Sequence, residues 1–266
     1  MEEPRPLEAA KRLLDLARRT QEGDMKDSEG KSAFQLLGMW LEVVEKFPEE
    51  VGVDEEESDR LRKEREKLGG GKNEQEKQIA VQGQQKGQKN VVSPPALDPS
   101  VLDPTSNSLL DIDHLLRTHG LELYPDQAGR LWTGLSTYWI KRGSFSLARA
   151  TFEEALSTVV TLRDFTQVFD SYAEFEESYI SGLMESIAEE DDEDDEKELD
   201  ERMKEFERLM DRRPFLVNEV LLRRNPNDVQ EWEKRVALYG DDDEKVILTL
   251  FPLNPIYGSL TELLLI

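Results

Sequence analysis

An aromatic triad that returns along the chain constrains the fold more than any other feature. Trp132, Leu135 and Tyr138 are spaced three apart, which sets them on one face of a helix. Phe169, Tyr172 and Phe175 repeat that spacing at an offset of 37 residues. Between the triads, after Lys141-Arg142-Gly143, a second helix is expected to carry Phe145, Ala148, Phe152, Ala155 and Val159 on one face. One helix pair cannot bury such a face alone, and repetition at a fixed period of this length is the signature of stacked helix hairpins.

The same residues carry a family resemblance. Ala148-Arg149, followed by Phe152-Glu153-Glu154-Ala155, resembles the second-helix motif of the half-a-tetratricopeptide (HAT) repeat. Phe169, Tyr172 and Phe175-Glu176 resemble its first-helix motif, an aromatic triad closed by a glutamate. The run from Leu131 to Ser178 is similar to the Syf family of pre-mRNA splicing factors, which in animals includes the xeroderma pigmentosum group A-binding protein. Arg212-Arg213-Pro214, Leu221 to Pro226 and Trp232 to Val236 continue the likeness, which holds from about Leu109 to Glu244 and weakens in the first fifty residues. The fold class this implies is all-α, a right-handed α-solenoid of HAT/TPR-like helix hairpins with disordered insertions. The resemblance also implies that Arg149, Glu153 and Glu176 lie between neighbouring helices, where ion pairs would fix the register of one hairpin on the next.

Charge narrows the function classes. The formal net charge is −24, and the twelve carboxylates and one lysine of Glu185 to Glu201 contribute −11 of it. Non-specific nucleic-acid binding needs clustered Lys and Arg, so direct RNA contact is expected to be minor or indirect, and basic proteins are the better electrostatic partners. With no cysteines, a disulfide framework and a thiolate metal site are both excluded. The acidic start Met1-Glu2-Glu3-Pro4 is unlike a signal peptide. Pro252, Pro255, Gly258 and Glu262 interrupt the apolar stretch from Val246 to Ile266, which argues against a membrane span.

Along the chain, residues 1–52 read as partial HAT repeats. Leu7, Ala10, Leu13, Leu14 and Ala17 form one helix, and Phe34, Leu37, Trp40, Leu41 and Val44 form the next, stopped at Phe47-Pro48 with Trp40 as a core residue. Residues 53–108 read as a charged helix extension followed by a disordered insertion rich in Gln, Gly and Lys. Residues 109–184 are HAT repeats, with Pro125-Asp126 as the turn and N-cap before the Trp132 helix. Residues 185–201 read as an acidic loop, and 202–245 as further HAT helices, restarted at Pro214 and again after Asn225-Pro226-Asn227-Asp228. In that last repeat Val229, Trp232, Val236 and Tyr239 form the apolar stripe. Residues 246–266 are an atypical apolar tail, and the chain reads as a fragment or truncated form of a longer protein.

Sites of chemistry are scarce. Gly69-Gly70-Gly71-Lys72 lacks the spacing and the preceding strand of a phosphate loop. His114 and His119 lie roughly 140° apart around a regular helix, too far to share a metal, and read as surface or cap residues. Asp191 to Glu196 lacks the alternating ligands and glycine of a calcium loop. Glu153 and Glu154 point in different directions and do not form an acid–base pair. No catalytic residue, cofactor, metal site or small-molecule substrate is therefore expected. By resemblance the chain is a non-catalytic protein–protein interaction platform of the nuclear spliceosome and its associated NineTeen complex. A TPR-type peptide-binding adaptor unrelated to splicing is the alternative, since Ala148 and Phe152 also fit the TPR spacing.

Overall fold

The computed structural model describes residues 5–23, 30–69, 101–189 and 193–240, which are almost wholly helical; among them there is no strand. The chain divides into two compact units, residues 1–155 and 156–266.

The first unit opens with α1 (Pro6–Glu22), which starts on a proline and ends where Gly23 takes a left-handed conformation, donating its N–H to Arg19 and Thr20 carbonyls. Its buried face is Ala10, Lys11, Leu14 and Ala17. It packs on α2 (Ala33–Lys46), which Ser32 and Gln35 begin with a reciprocal capping box. Leu36, Leu37, Trp40, Leu41 and Val44 are all buried there, Trp40 completely. A fully buried side chain of this kind contributes about 1.5–3 kcal/mol, so this stripe anchors the unit. Pro48 ends α2 and starts the one-turn α3 (Pro48–Val51). The charged helix α4 (Glu55–Gly69) follows.

Residues 70–100 lie outside the described residues, and with them the phosphate-loop comparison and most of the expected insertion. The final part of that insertion is corrected by the structure: residues 101–108 pack, with Leu102 buried and the Lys11 ammonium donating to the Asp103 and Ser106 carbonyls at 3.3 and 2.8 Å. The chain then returns beside its departure point. Val53 N–H donates to Leu110 O at 3.0 Å and Leu110 N–H to Val51 O at 2.9 Å, making one isolated parallel bridge. Leu110 is turned inward by that bridge and is fully buried, whereas Leu109 is exposed.

Asp111 caps the short α5 (Ile112–Leu116) by accepting from His114 N–H, and also accepts from Ser58 and Arg65 of α4. A π-turn over Arg117–Leu121 and a 3₁₀ turn over Pro125–Gln127 lead into α6 (Ala128–Lys141). Asp126 belongs to that 3₁₀ turn, and Gln127 at the N-cap makes no capping bond, so the expected Asp126 cap is absent. α6 packs on α2; Arg130 forks onto the Glu45 carboxylate at 2.5 and 2.9 Å. Gly143, at φ +75°, reverses the chain into α7 (Phe145–Thr158).

In the second unit Thr161 caps α8 (Leu162–Glu189) by accepting from Asp164 N–H. α9 (Glu193–Arg224) packs against it. Residues 185–201 are therefore not the loop expected from their charge: apart from 190–192, which are outside the described residues, they end α8 and begin α9. Carboxylates at a helix start favour the dipole there, and Tyr179 donates to Glu198 and Ser186 to Asp195 across the pair. Pro214 does not restart the chain, because α9 runs through it. Asp228 caps α10 (Val229–Tyr239), accepting from Gln230 and Glu231 N–H. The 246–266 tail lies outside the described residues.

Candidate functional site

The repeat-signature residues are, with few exceptions, interior. In α6, Leu135 and Tyr138 are fully buried and Trp132 nearly so. The Tyr138 hydroxyl donates to the Val53 carbonyl, and burial holds its pKa far above the ordinary phenol value. Tyr138 thereby pins the start of the 53–110 excursion to the repeat. On the outer side of Trp132, Arg117 lies 5.3 Å from the ring and pairs with Asp113 at 2.9 Å and Glu154 at 2.5 Å. Burial pulls the guanidinium pKa down, but the bonds to Glu154 and Asp113 outweigh it and leave the pKa raised.

α7 buries Ala148, Phe152 and Ala155, while Arg149 and Glu153 are half-buried. In α8 Phe169, Tyr172 and Phe175 are buried, and so is Glu176 at 3% exposure. A carboxylate that deep requires a cation or several donors around it. Arg213 of α9 stacks 4.9 Å from the Phe169 ring and approaches Asp170 at 3.6 Å. Trp232 departs from its counterparts: it is only half-buried, and its indole N–H donates to Pro226 O at 2.8 Å. Val229 and Val236 on the same stripe are 68% and 39% exposed. The residues α10 turns inward are Glu231 and Arg235, with Arg235 donating to Phe215 O at 2.9 Å.

The two histidines are not surface residues. Both are half-buried, and both have lowered pKa values, by burial first and then by Arg65 at His114 and by His114 and Arg18 at His119. Among the described residues no three His, Asp or Glu side chains are grouped to hold a metal. No helix among them is long and apolar enough to cross a membrane.

Sequence reasoning missed Lys11, Asp111, Asn218 and Glu231, all buried polar groups. Lys11 carried a signal, since it falls beside Ala10 and Leu14 on the apolar face. Each of the four also has a partner on another element, which no local pattern reveals.

A family model for the middle HAT repeat of pre-mRNA-splicing factor SYF1 matches residues 97–252, past the Glu244 limit read from the motifs. Pre-mRNA-splicing factor SYF1 of Mycosarcoma maydis is 47% identical over 262 residues, covering 91% of this chain and 24% of that protein. The Neurospora crassa protein of that name is 59% identical over 145 residues, 53% of this chain and 17% of its own length. The Homo sapiens protein is 48% identical over 148 residues, 55% of this chain and 17% of its own length. The chain thus spans under a quarter of the length of these relatives, and the likeness is to SYF1 proteins, which disfavours the unrelated TPR adaptor. A chain whose described residues are mainly helical, with its aromatic triads buried in helices, and which that model matches over more than half its length, belongs to the SYF1 family of HAT-repeat proteins.

Proposed function

We propose that this stretch is a non-catalytic scaffold in pre-mRNA splicing, a platform on which spliceosomal proteins, and specifically those of the NineTeen complex, assemble in the nucleus. The single observation that carries the reading is membership of a family whose relatives are named pre-mRNA-splicing factors. The chemistry is consistent with it: the aromatic signature residues are spent on packing, and the net charge of −24 favours proteins over RNA as direct partners. Within the array, Trp132, Leu135, Tyr138, Ala148, Phe152, Ala155, Phe169, Tyr172 and Phe175 supply repeat packing, with Trp232 opening the last repeat. Arg149, Glu153 and Glu176 set hairpin register through ion pairs. The proposed role is to help assemble and stabilise the catalytically activated spliceosome.

The test is affinity purification of the full-length endogenous protein from nuclear extract, with mass spectrometry and RNA sequencing of what accompanies it. Recovery of NineTeen-complex proteins with small nuclear RNAs is expected. A single abundant chaperone or motor partner without spliceosomal RNA would overturn the reading.

A further inference from the structure

The turn between α6 and α7 reads Lys141-Arg142-Gly143-Ser144-Phe145. Of the adjacent basic pairs in the chain, Lys141-Arg142 alone has a serine or threonine two positions after it. Its surroundings are also set apart by charge. Between Asp126 and Glu153 stand Arg130, Lys141, Arg142 and Arg149 with no carboxylate among them, in a chain whose net charge is −24. Two basic residues, a spacer, a serine and an apolar residue make up the order that basophilic serine/threonine kinases select. Carboxylates in the kinase cleft pair with the two cations before the hydroxyl, and an apolar pocket takes the residue after it.

The fold leaves that pattern within reach. Lys141 and Gly143 are exposed, and Arg142, Ser144 and Phe145 are half-buried. A Cβ added at Gly143 would meet nothing within 4 Å, so the turn borders open space. Arg142 has no ion pair among the described residues. Lys141 spends one of its donors on the Glu45 carbonyl at 2.6 Å. The motif spans the end of one helix and the start of the next, where the backbone is least committed. An extended fit in a kinase cleft requires opening the bonds that Arg142, Gly143 and Ser144 N–H make to Tyr138, Ile140 and Trp139 carbonyls at 3.1, 3.0 and 3.0 Å.

We propose that Ser144 is a phosphorylation site for a basophilic protein kinase. Ser144 Oγ attacks the γ-phosphorus of ATP, and an O–P bond forms as the bond from that phosphorus to the β–γ bridging oxygen breaks. ADP leaves with the bridging oxygen and its electron pair, and the hydroxyl proton passes to the kinase's base. The product suits its position. Ser144 O accepts the first bond of α7, from Ala148 N–H at 3.0 Å, so a phosphate on its side chain stands at the positive end of a 14-residue helix. Its charge of about −1.5 to −2 cancels Lys141 and Arg142 and turns an exposed basic corner neutral. The modification requires no particular partner, so its test is independent of the scaffold reading.

The test incubates the 266-residue chain with ATP and the catalytic subunit of cyclic-AMP-dependent protein kinase, beside a free peptide of residues 137–150. Tandem mass spectrometry is expected to find phosphate on Ser144 in both. Arg142→Gln should slow incorporation at least tenfold, and Ser144→Ala should abolish it. The exposed Ser146 has Gly143 and Ser144 where the basic pair would stand, and it should stay unmodified. The phosphorylated chain should melt roughly 1–3 °C higher at low salt; a fall would overturn the placement of the phosphate at the helix start. Phosphate on the peptide but not on the chain would overturn the proposal, since it would show that the folded turn does not open. So would incorporation at Ser146, or an Arg142→Gln rate equal to wild type. The endogenous protein purified from nuclear extract with phosphatases inhibited should carry phosphate on Ser144, and a Ser144 without it there would count equally against the proposal.

Discussion

Lys11 is a cation with no exposed surface, held at the end of its reach by the Asp103 and Ser106 carbonyls and, at 3.5 Å, the Ser108 hydroxyl. Burial lowers its pKa, with Asp103 acting against the shift, yet removing the ammonium strands the Ser106 carbonyl and leaves the Asp103 carbonyl with only the Ser106 N–H. Lys11→Met keeps the stem's packing and loses only the donor, so it is expected to cost about 2 kcal/mol, read as a lower urea midpoint by tryptophan fluorescence. Lys11→Ala adds a cavity and should cost about 2 kcal/mol more; equal midpoints for wild type and Lys11→Met would show that the carbonyls are satisfied by water. Gly52 makes a second residue-scale case. A Cβ there would lie 2.2 Å from the Tyr138 hydroxyl oxygen and 2.6 Å from a ring carbon, and the ring is held by its bond to Val53 O. Gly52→Ala is expected to cost about 3 kcal/mol through overpacking. Gly143→Ala, where φ is +75° but nothing lies within 4 Å, should cost only about 1 kcal/mol of backbone strain. Near-equal costs in the same urea measurement would refute this ranking.

At the scale of elements, periodicity carried the reading where apolar residues recur and failed where charge or proline dominates. The helices bearing Trp40, Trp132 and Phe169 were legible because three-and-four spacing survives any tertiary context. The acidic stretch was not, because carboxylates suggest solvent while helix propensity and dipole both accept glutamate at a helix start. Pro214 was misread for a related reason: proline removes one donor and clashes with the preceding turn, but flanking turns packed on α8 carry the helix past it. The outward Val229–Val236 stripe shows the limit of the method, since spacing identifies an apolar face without saying what covers it. The π-turn carrying His119 gives this scale its own prediction. His114 and His119 both have folded pKa values below the ordinary 6.5, so the native state resists protonation that the unfolded chain accepts. The stability from neutral histidines is therefore present above pH 6.5 and lost as pH falls from 6.5 through the folded values. Thermal melts from pH 7.5 down to 5.5 should show a falling Tm, and the His114→Gln, His119→Gln double variant should flatten that slope. An unchanged slope in the variant would assign the loss to carboxylates instead.

The whole molecule sets 58 carboxylates against 34 lysines and arginines, and the arrangement of those charges decides how it responds to salt. Many of the ion pairs are local, three or four residues apart on one helix and exposed, as at Arg62 with Asp59 or Arg208 with Glu205. Such pairs contribute about 0.3–0.5 kcal/mol each, and at contact distance they are the last attractions that salt removes. The repulsion among the excess carboxylates acts over longer separations and is the first to be screened, because the Debye length falls from about 30 Å at 0.01 M to about 8 Å at 0.15 M. Screening therefore subtracts more repulsion than attraction, and the folded state, which concentrates the charge, gains more than the unfolded chain. Raising sodium chloride from 0.01 to 0.15 M should lift Tm by roughly 2–4 °C, corresponding to about 1 kcal/mol for a chain of this size. Choline chloride should act equally if screening rather than specific ion binding is responsible. Neutralising two exposed members of the acidic stretch, Glu196→Gln with Asp200→Asn, should raise Tm at low salt and reduce its dependence on salt. A Tm that falls with added salt would mean that the short-range pairs, and not the net charge, govern the stability of the array.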